Sequence, residues 1–208
     1  MRRIYGLGEL LESQVDPDPI VQFGTWLTQA TDAGLPEPNA MVLATADSDG
    51  RPSARTVLLK GLDARGFVFY TNQQSRKADD LAANPHCALV FPWHGMERQV
   101  RVEGTVSKLP AAEVDAYFAS RPRESQLGAW ASQQSQPVES REELDLQYAS
   151  FERQWPEGTE ISTPYFWGGY LVYPHTFEFW QGRVGRLHDR LAYRRTSSEG
   201  WELSRLQP

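Results

Sequence analysis

The strongest constraint on the fold is a series of short apolar runs between residues 40 and 109, each bounded by turn-forming residues. The run 40-AMVLATA-46 is followed by the turn sequence 47-DSDG-50 and then by 52-PSARTVLLK-60, which is the order typical of a β-hairpin. In 97-ERQVRVEGTVSKL-109, apolar residues alternate with polar ones, as in a strand with one buried face. These patterns predict an antiparallel sheet.

The remaining elements follow from the same kinds of pattern. We predict strands at 67–71, 86–93, 166–174, 176–182, 190–196 and 201–206, a turn at 61–66, and helices at 16–34, 75–85, 110–122, 124–135 and 140–155. Asp18, Ser75 and Ser140 are the expected N-caps of three helices. No repeat or linker divides the chain, so residues 1–208 are predicted to form one mainly β (α+β) domain, an antiparallel β-barrel with peripheral helices. Residues 1–15 are expected to be mobile.

Composition excludes several classes of function. The net charge of -6 argues against nonspecific binding to nucleic acid or to anionic membranes. Cys87 is the single cysteine, so the chain forms no internal disulfide, which suits a reducing cytoplasm. There is no secretory signal and no run of ~20 apolar residues that could span a membrane. The four histidines lack metal-ligand spacing, so no metal is expected.

Cationic residues lie at the ends of the predicted strands in this acidic chain. Arg55 and Lys60 are five positions apart in one run, so they face opposite sides of a strand and lie roughly 16 Å apart. Arg76 and Lys77 follow Ser75 at a predicted helix start, where free N–H groups already favour an anion. Solubilising side chains and an anion-binding site are both open interpretations of these positions.

Two further groups combine cations with hydrogen-bond donors. On a continuous helix Tyr117 and Arg121 share a face, with Ser125 one turn further, and all three could donate to phosphate oxygens, although Pro122 interrupts the geometry. The segment 180-WQGRVGRLHDR-190 concentrates arginines and His188 in a short glycine-containing stretch. A surface arginine beside a core tyrosine, and a structural histidine, remain the alternative interpretations.

Taken together, several motifs in consistent order and spacing closely resemble the pyridoxine (pyridoxamine) 5′-phosphate oxidase family. They are 55-RTVLLKG-61, 70-YTNQQSRKA-78, 91-FPWHGMERQVRVEG-104, 117-YFASRPRESQLGAWASQQS-135, 166-FWGG-169 and 179-FWQGRVGRLHDR-190. The resemblance covers nearly the whole chain. It implies an FMN-binding split β-barrel that forms a homodimer, with flavins at the subunit interface.

The resemblance also implies roles for individual residues. The expected FMN-binding residues are Arg55, Thr56, Val57, Leu58, Leu59, Lys60, Tyr70, Thr71, Arg76, Lys77, Gln99, Gln134, Ser135, Trp180 and Arg190. The expected substrate-binding residues are Arg2, Tyr5, Lys60, Tyr117, Arg121, Ser125, Arg186 and His188, of which Arg186 and His188 are also the expected catalytic pair. The segment containing Arg2 and Tyr5 resembles the part of the family that closes over the substrate.

The implied reaction is the oxidation of pyridoxamine 5′-phosphate and pyridoxine 5′-phosphate to pyridoxal 5′-phosphate, with O2 as acceptor and hydrogen peroxide as product. Two rival hypotheses belong to other classes. One is a split-barrel enzyme that acts on a different substrate or uses a deazaflavin, and the other is a carrier or sensor of flavin or pyridoxal phosphate that produces no peroxide. Turnover of pyridoxamine phosphate under air separates all three.

Overall fold

The computed structural model describes residues 6–198 and 200–208, so the predicted substrate residues Arg2 and Tyr5 lie outside the described part of the chain. The strands are β1 (Ala40–Ala46), β2 (Pro52–Leu58), β3 (Gly61–Asp63), β4 (Gly66–Asn72), β5 (His86–Trp93), β6 (Arg98–Lys108), β7 (Trp167–Gln181), β8 (Asp189–Arg195) and β9 (Trp201–Arg205). The helices are α1 (Pro19–Asp32), α2 (Arg76–Ala83), α3 (Ala111–Ala119), α4 (Arg123–Ala131) and α5 (Arg141–Gln154). Short 3-10 turns lie at Glu12–Gln14, His94–Met96 and Val184–Arg186.

The strands form one curled antiparallel sheet, which confirms the predicted mainly β fold with peripheral helices. The order across the sheet is β2-β1-β5-β6-β7-β4-β3, and β8 and β9 extend from β7. The chain bends between β2 and β3, so that β2 pairs with β1 while the Lys60 N–H donates to the Val68 carbonyl of β4. This bend brings the two ends of the sheet together as a split barrel.

Strand β7 is the longest strand and replaces the two strands predicted at 166–174 and 176–182. Its first half pairs with β4 and its second half pairs with β8, while β6 runs along both halves on the other side. The register between β6 and β7 shifts between Glu103 and Gly104, which is a β-bulge at the point where β7 changes neighbours. The sequence pattern therefore detected the irregularity but interpreted it as a break.

Helix α1 packs its apolar face into the barrel. Asp18 caps the helix as predicted, because its carboxylate accepts the Ile20 N–H at 2.8 Å. Phe23 is fully buried, with its ring 4.9 Å from Phe67 and 4.6 Å from Phe91 in edge-to-face contacts. Such aromatic contacts stabilise a core beyond the area they bury, so α1 fixes the curvature of the sheet on which the site depends.

Three local predictions were wrong. The segment 61–66, expected to be a turn, contains strand β3. Ser75 does not cap α2, because its hydroxyl donates to the Asn72 carbonyl instead. The helix predicted at 110–122 ends at Ala119, so Arg121 lies in the connection to α4. Within the described residues, no helix is long and apolar enough to cross a membrane.

The bulge in β6 generates a stability prediction. A Cβ at Gly104 would lie 2.1 Å from the Tyr173 carbonyl oxygen, whereas a Cβ at Gly128 of α4 meets nothing within 4 Å. We expect Gly104→Ala to destabilise the protein by about 2 kcal/mol or more, because the backbone of β7 must shift. The control Gly128→Ala should be neutral or stabilising by about 0.5–1 kcal/mol. Urea unfolding measures both, and equal stability of the two variants would contradict the close approach.

Candidate functional site

The first group of site residues surrounds the ammonium of Lys77 at the start of α2. Lys77 Nζ donates to Thr71 Oγ1 at 3.0 Å, to Ser75 Oγ at 3.0 Å and to Gln134 Oε1 at 2.7 Å. Thr71 also donates to Gln134, and the Arg76 N–H donates to Ser135 Oγ at 3.3 Å. Residues from β4, α2 and the segment after α4 therefore meet at one place. We call this group, with Arg55, Arg76 and Lys77 as its charged members, the phosphate cradle.

Arg55 reaches the same cradle from β2. Its Nη1 donates to Thr45 Oγ1 at 2.7 Å and to the Leu43 carbonyl at 3.3 Å, both on the adjacent strand β1. Its Nη2 donates to Ser53 Oγ at 2.7 Å and lies 3.6 Å from Asp80 Oδ2. These contacts fix the guanidinium on the half-buried face of β2, which Arg55 shares with Ser53 and Val57.

The cradle is electrostatically unfavourable without an anion. Burial, followed by the repulsion from Arg55, lowers the pKa of Lys77 from 10.5 to about 8. Burial also lowers the pKa of Arg55. The carboxylate of Asp80 acts to raise this pKa, whereas the positive charge of Arg76 lowers it further. Cations at the N-terminus of a helix add to this strain, because the helix dipole places positive potential there. A bound anion relieves all three effects, so the chemistry of the donor set fits a phosphate group.

A stacked pair of tyrosines joins the cradle to a second cationic position. Tyr70 precedes Thr71 on β4, and its ring lies 3.7 Å from that of Tyr117 on α3, with an angle of only 8° between the planes. Burial raises the pKa of both hydroxyls, so both stay protonated and can donate near neutral pH. The stack fixes α3 against β4, the strand that also carries Thr71 of the cradle, although consecutive residues of a strand point to opposite faces.

Arg121, in that loop, holds a buried donor that has no acceptor. Its guanidinium lies 4.2 Å from the centre of the Trp167 ring, and Nη1 is buried without a hydrogen-bond partner among the described residues. Burial lowers the pKa of this guanidinium. A buried charged donor left unpaired is costly, which is the condition expected of a site that awaits an anion. Ser125 lies in the first turn of α4, so Tyr117, Arg121 and Ser125 do not share one continuous helix, in keeping with the predicted interruption at Pro122.

The predicted run from Thr56 to Lys60 forms the rim beside the cradle. Thr56, Val57 and Leu58 belong to β2, which pairs only with β1 among the described strands, so one row of its backbone N–H and C=O groups faces outward. Leu59 is buried and Lys60 is exposed at the bend before β3. An edge of this kind can donate and accept along a flat or extended ligand.

A second group of site residues forms a row across three strands. Gln99 of β6 is in register with Trp180 of β7, and Trp180 is in register with Arg190 of β8. All three are half-buried, while their neighbours Val100, Phe179 and Leu191 point into the core. Arg190 is held by Glu178, whose carboxylate accepts from Nε at 2.9 Å and from Nη2 at 3.0 Å. The row thus lies on the outer face of the barrel.

The loop between β7 and β8 carries the predicted catalytic pair. Arg186 is exposed and has a φ of 64°, directly after Gly185 with a φ of 72°. Left-handed backbone at an arginine is strained, and such strain is common at functional sites. His188 accepts the Arg183 N–H on Nδ1 at 3.1 Å, and its ring lies 4.7 Å from that of Trp180. In the neutral ring the proton is therefore on Nε2.

The two groups lie at opposite ends of β7. Tyr70 and Thr71 of the cradle side pair with Gly169 and Gly168, whereas the second group pairs at Trp180. Eleven residues separate Gly169 from Trp180, which corresponds to roughly 35 Å of strand. The chain therefore places the cradle, the tyrosine stack and Arg121 around the end of β4, but it does not join them to the row or to the catalytic loop.

Glu97 is a residue that sequence reasoning missed. It is buried with a φ of 56°, and its Oε2 accepts the N–H groups of Gly6 at 2.8 Å and Leu7 at 3.1 Å. Its own carbonyl accepts the Gly182 N–H at 2.7 Å. Glu97 thus fastens the start of the described chain to the end of β7, near the catalytic loop. Only its position at a hairpin turn hinted at this role.

Two family models match consecutive parts of the chain. Residues 27–154 match the family model described as "Pyridoxamine 5'-phosphate oxidase", and residues 167–208 match "Pyridoxine 5'-phosphate oxidase C-terminal dimerisation region". A pyridoxine/pyridoxamine 5'-phosphate oxidase from Rubrobacter xylanophilus is 61% identical over 208 residues, covering 100% of this chain and 95% of the relative. The chain belongs to the pyridoxine/pyridoxamine 5′-phosphate oxidase family. It is therefore an oxidoreductase, as the motifs implied.

Other members of the family and its solved structures agree with this assignment. The Salinibacter ruber oxidase is 56% identical over 209 residues, covering 100% of this chain and 97% of the relative. PhzG from Burkholderia lata, solved with tetrahydrophenazine-1-carboxylic acid, is 32% identical with a TM-score of 0.90, covering 98% of this chain and 100% of its own. An FMN-binding protein from Nostoc punctiforme, related to the oxidase family, shares the fold at 16% identity with a TM-score of 0.75, over 93% of this chain and 100% of its own.

The lowered pKa of Lys77 predicts how anion binding depends on pH. Above pH 8 the ammonium loses its proton, so affinity for the dianion of phenyl phosphate should fall by up to about tenfold per pH unit. Lys77→Arg keeps the charge and should remove this dependence. The stability of the anion-free protein depends on pH in the opposite direction. Between about pH 8 and 10.5 the unfolded chain carries a proton on Lys77 that the folded protein has lost, because the pKa of Lys77 is lowered from 10.5 to about 8 on folding. The contribution of Lys77 to stability therefore rises with pH in this range. Calorimetric titration tests the binding, and equal slopes for both proteins would contradict the assignment.

Proposed function

We propose that this chain binds FMN and oxidises pyridoxamine 5′-phosphate and pyridoxine 5′-phosphate to pyridoxal 5′-phosphate. For the amine, substrate, O2 and water give the aldehyde, ammonia and hydrogen peroxide. For the alcohol, substrate and O2 give the aldehyde and hydrogen peroxide. The membership of the family supports the substrate class, and the geometry of the site supports the use of a phosphorylated cofactor and a phosphorylated substrate.

The observation that carries this proposal is a pair of anion sites that both border strand β4. The phosphate cradle holds three cations beside one carboxylate, and Arg121 has a buried Nη1 without an acceptor. Both sites border β4, because Thr71 belongs to the cradle and Arg121 packs on Trp167, the register partner of Asn72. One phosphate ester on the cofactor and one on the substrate satisfy both sites, whereas a cofactor or substrate that lacks phosphate leaves one of them unpaired.

In this proposal the cradle takes the phosphate of FMN, and the outward backbone of β2 runs along the rest of the cofactor. Arg55, Arg76 and Lys77 supply charge, while Thr71, Gln134 and Ser135 supply hydrogen bonds and Tyr70 borders the substrate side. Thr56 to Lys60 would contact the ribityl chain and the ring edge. Arg121, Tyr117, Ser125 and Lys60 would bind the substrate phosphate, with Arg2 and Tyr5 closing over it.

We propose that two copies of the chain complete each site. The cradle and the row of Gln99, Trp180 and Arg190 lie at opposite ends of β7, and the row faces outward. In a symmetric dimer the row of each protomer can meet the cradle of its partner, so that two equivalent sites form. The match of residues 167–208 to a dimerisation region supports this arrangement, since that region includes Trp180, Arg186, His188 and Arg190.

FMN held in the cradle would supply the two-electron redox chemistry between the substrate carbon and O2. The chain's contribution is binding and orientation. Arg121 and its neighbours fix the phosphate end of the substrate, so that the pyridine ring is held at a constant distance from the anchor. In the proposed dimer, Arg186 of the partner subunit would lie over the other end and polarise the reacting substituent. His188 holds its proton on Nε2 when neutral, which makes it a hydrogen-bond donor to the substrate rather than a base.

A second candidate is the oxidation of a reduced tricyclic carboxylate of the kind found in PhzG, which the TM-score of 0.90 favours. The identity of 61% to a pyridoxine/pyridoxamine 5'-phosphate oxidase favours the B6 substrates. Anaerobic addition of pyridoxamine phosphate to the purified yellow protein separates the two. Rapid bleaching of the flavin spectrum supports the proposal, and bleaching by tetrahydrophenazine-1-carboxylic acid alone would replace it with the second candidate.

Arg121 provides a sharp test of phosphate recognition. We expect Arg121→Met to lower kcat/KM for pyridoxamine phosphate by ~30- to 1000-fold, because a buried charged hydrogen bond of about 2–4 kcal/mol is lost. Turnover of unphosphorylated pyridoxamine and the flavin content should change little. The control is Arg153→Met, an exposed arginine on α5. Equal losses for the phosphorylated and unphosphorylated substrates would show that Arg121 does not bind the phosphate.

Arg186 tests the assignment of the catalytic loop. Replacement by the neutral but similarly long side chain in Arg186→Met should slow flavin reduction in a single anaerobic turnover by about 10²-fold or more, because the reacting substituent is no longer polarised. Retention of FMN should be nearly unchanged. A variant that reduces its flavin at the normal rate would refute the role.

A further inference from the structure

Asp80 is a buried acidic side chain that the proposed chemistry does not use. It lies on α2, is only 6% exposed, and Oδ2 accepts from Thr45 Oγ1 at 2.6 Å. Thr45 in turn accepts from Arg55 Nη1 at 2.7 Å, so its single hydroxyl hydrogen is directed to Asp80. Arg55 Nη2 also lies 3.6 Å from the same carboxylate oxygen. Asp80 is therefore linked to the cradle arginine both directly and through one hydroxyl.

Asp80 has a distinct place in the charge balance of the cradle. Within residues 6–198 and 200–208, the ion pair of Arg55 with Asp80 is the only one that joins a cradle cation to an acidic side chain. The next acidic residue on the same helix, Asp79, is exposed. Without a cofactor, one carboxylate therefore opposes the mutual repulsion of Arg55, Arg76 and Lys77.

A bound phosphate changes the effect of Asp80. Its two negative charges satisfy the same cations, so the carboxylate is no longer needed to compensate them. Charges interact strongly at these distances in a partly buried site, where salt screens them little. The carboxylate then raises the free energy of the bound anion, although it lowers the free energy of the protein that has none.

We propose that Asp80 is a resident counter-charge of the phosphate cradle, which stabilises the cofactor-free fold and, by the same interaction, weakens binding of the cofactor's phosphate. The inference rests on the proposed function and deepens it. Asp80 acts through Arg55, so it is a positioning residue and touches neither cofactor nor substrate in this scheme. Removal of its charge should have opposite effects on the stability of the cofactor-free protein and on its affinity for FMN.

The test compares Asp80→Asn with Asp79→Asn after the flavin has been stripped from the full-length protein. We expect Asp80→Asn to lower the Tm of the cofactor-free protein by several degrees and to bind FMN about 3- to 10-fold more tightly than wild type. Affinity for riboflavin, which lacks the phosphate, should not change. Asp79→Asn, which removes an equal charge from the exposed side of α2, should match wild type in all three measurements.

Weaker binding of FMN by Asp80→Asn, or an equal gain for riboflavin, would overturn the proposal. A purely structural role for Asp80 also predicts a lower Tm, but it does not predict a gain that is specific to FMN. The affinities are measured by quenching of flavin fluorescence, and inorganic phosphate serves as a second probe that should restore the Tm of the variant.

A double variant keeps the test decisive if Asp80→Asn is too unstable to strip. Arg55→Met leaves Asp80 without its partner and should also destabilise the cofactor-free protein, whereas Arg55→Met with Asp80→Asn removes both charges. Because a neutral buried pair is tolerated better than half an ion pair, the double variant should have a higher Tm than Arg55→Met alone. Additive losses would show that Asp80 does not act through Arg55.

The wild-type protein separates failure of this inference from failure of the proposed function. If wild type binds FMN no better than riboflavin, the cradle does not hold the cofactor's phosphate and the proposed function fails. If wild type prefers FMN strongly but Asp80→Asn binds it more weakly, the function stands and the counter-charge role is wrong.

Discussion

The repulsion among the cations of the phosphate cradle is the interaction on which the site depends. A chain with a net charge of -6 gathers Arg55, Arg76 and Lys77 at a helix start, where the helix dipole already disfavours them. Favourable free energy from the rest of the fold offsets this repulsion. It comes from the packing of α1 inside the barrel and from the strands that fix each side chain. The pKa of about 8 for Lys77 shows how far the cluster departs from its solvated state. Such a cluster is reasonable only where an anion completes it.

Strand β7 decides where the rest of the site can lie. It pairs with β6 on one side and with β4 and β8 on the other, and it places the glycines opposite Tyr70 at one end and Trp180 at the other. Gly168 and Gly169 leave room at the cradle end, because a Cβ on Gly169 would lie 2.8 Å from the ring of Tyr70. Strand β7 therefore borders the cradle at one end and carries Trp180 of the outward-facing row near the other. This separation is why the proposed function needs a second protomer.

The sequence predicted the elements better than the contacts between them. Strand β1 and strand β5 have the predicted bounds, because alternation and turn residues are local signals. The single strand β7 was predicted as two strands. Its sequence pattern is interrupted where it changes neighbours at the bulge, and the sequence of one strand does not show that pairing with β6 continues across the interruption. The interruption at Pro122 was predicted, but nothing in the sequence indicated that Tyr117 stacks on Tyr70 or that Arg121 lies in a loop after α3. Asp80, Thr45 and Glu97 carry no motif, since their roles come from burial and long-range pairing.

The buried side chains also suggest how cofactor and fold depend on each other. Arg121 retains an unpaired buried donor, and the cradle retains excess positive charge, so both anion sites destabilise the protein until they are filled. A ligand that binds only the folded state stabilises it by mass action. In the proposed function a phosphorylated flavin therefore acts as a missing part of the core. The chain can tolerate this strain because Asp80 and the hydroxyls around Arg55 partly compensate the positive charge of the cradle. The compensation is incomplete, so a bound anion still lowers the free energy of the folded protein.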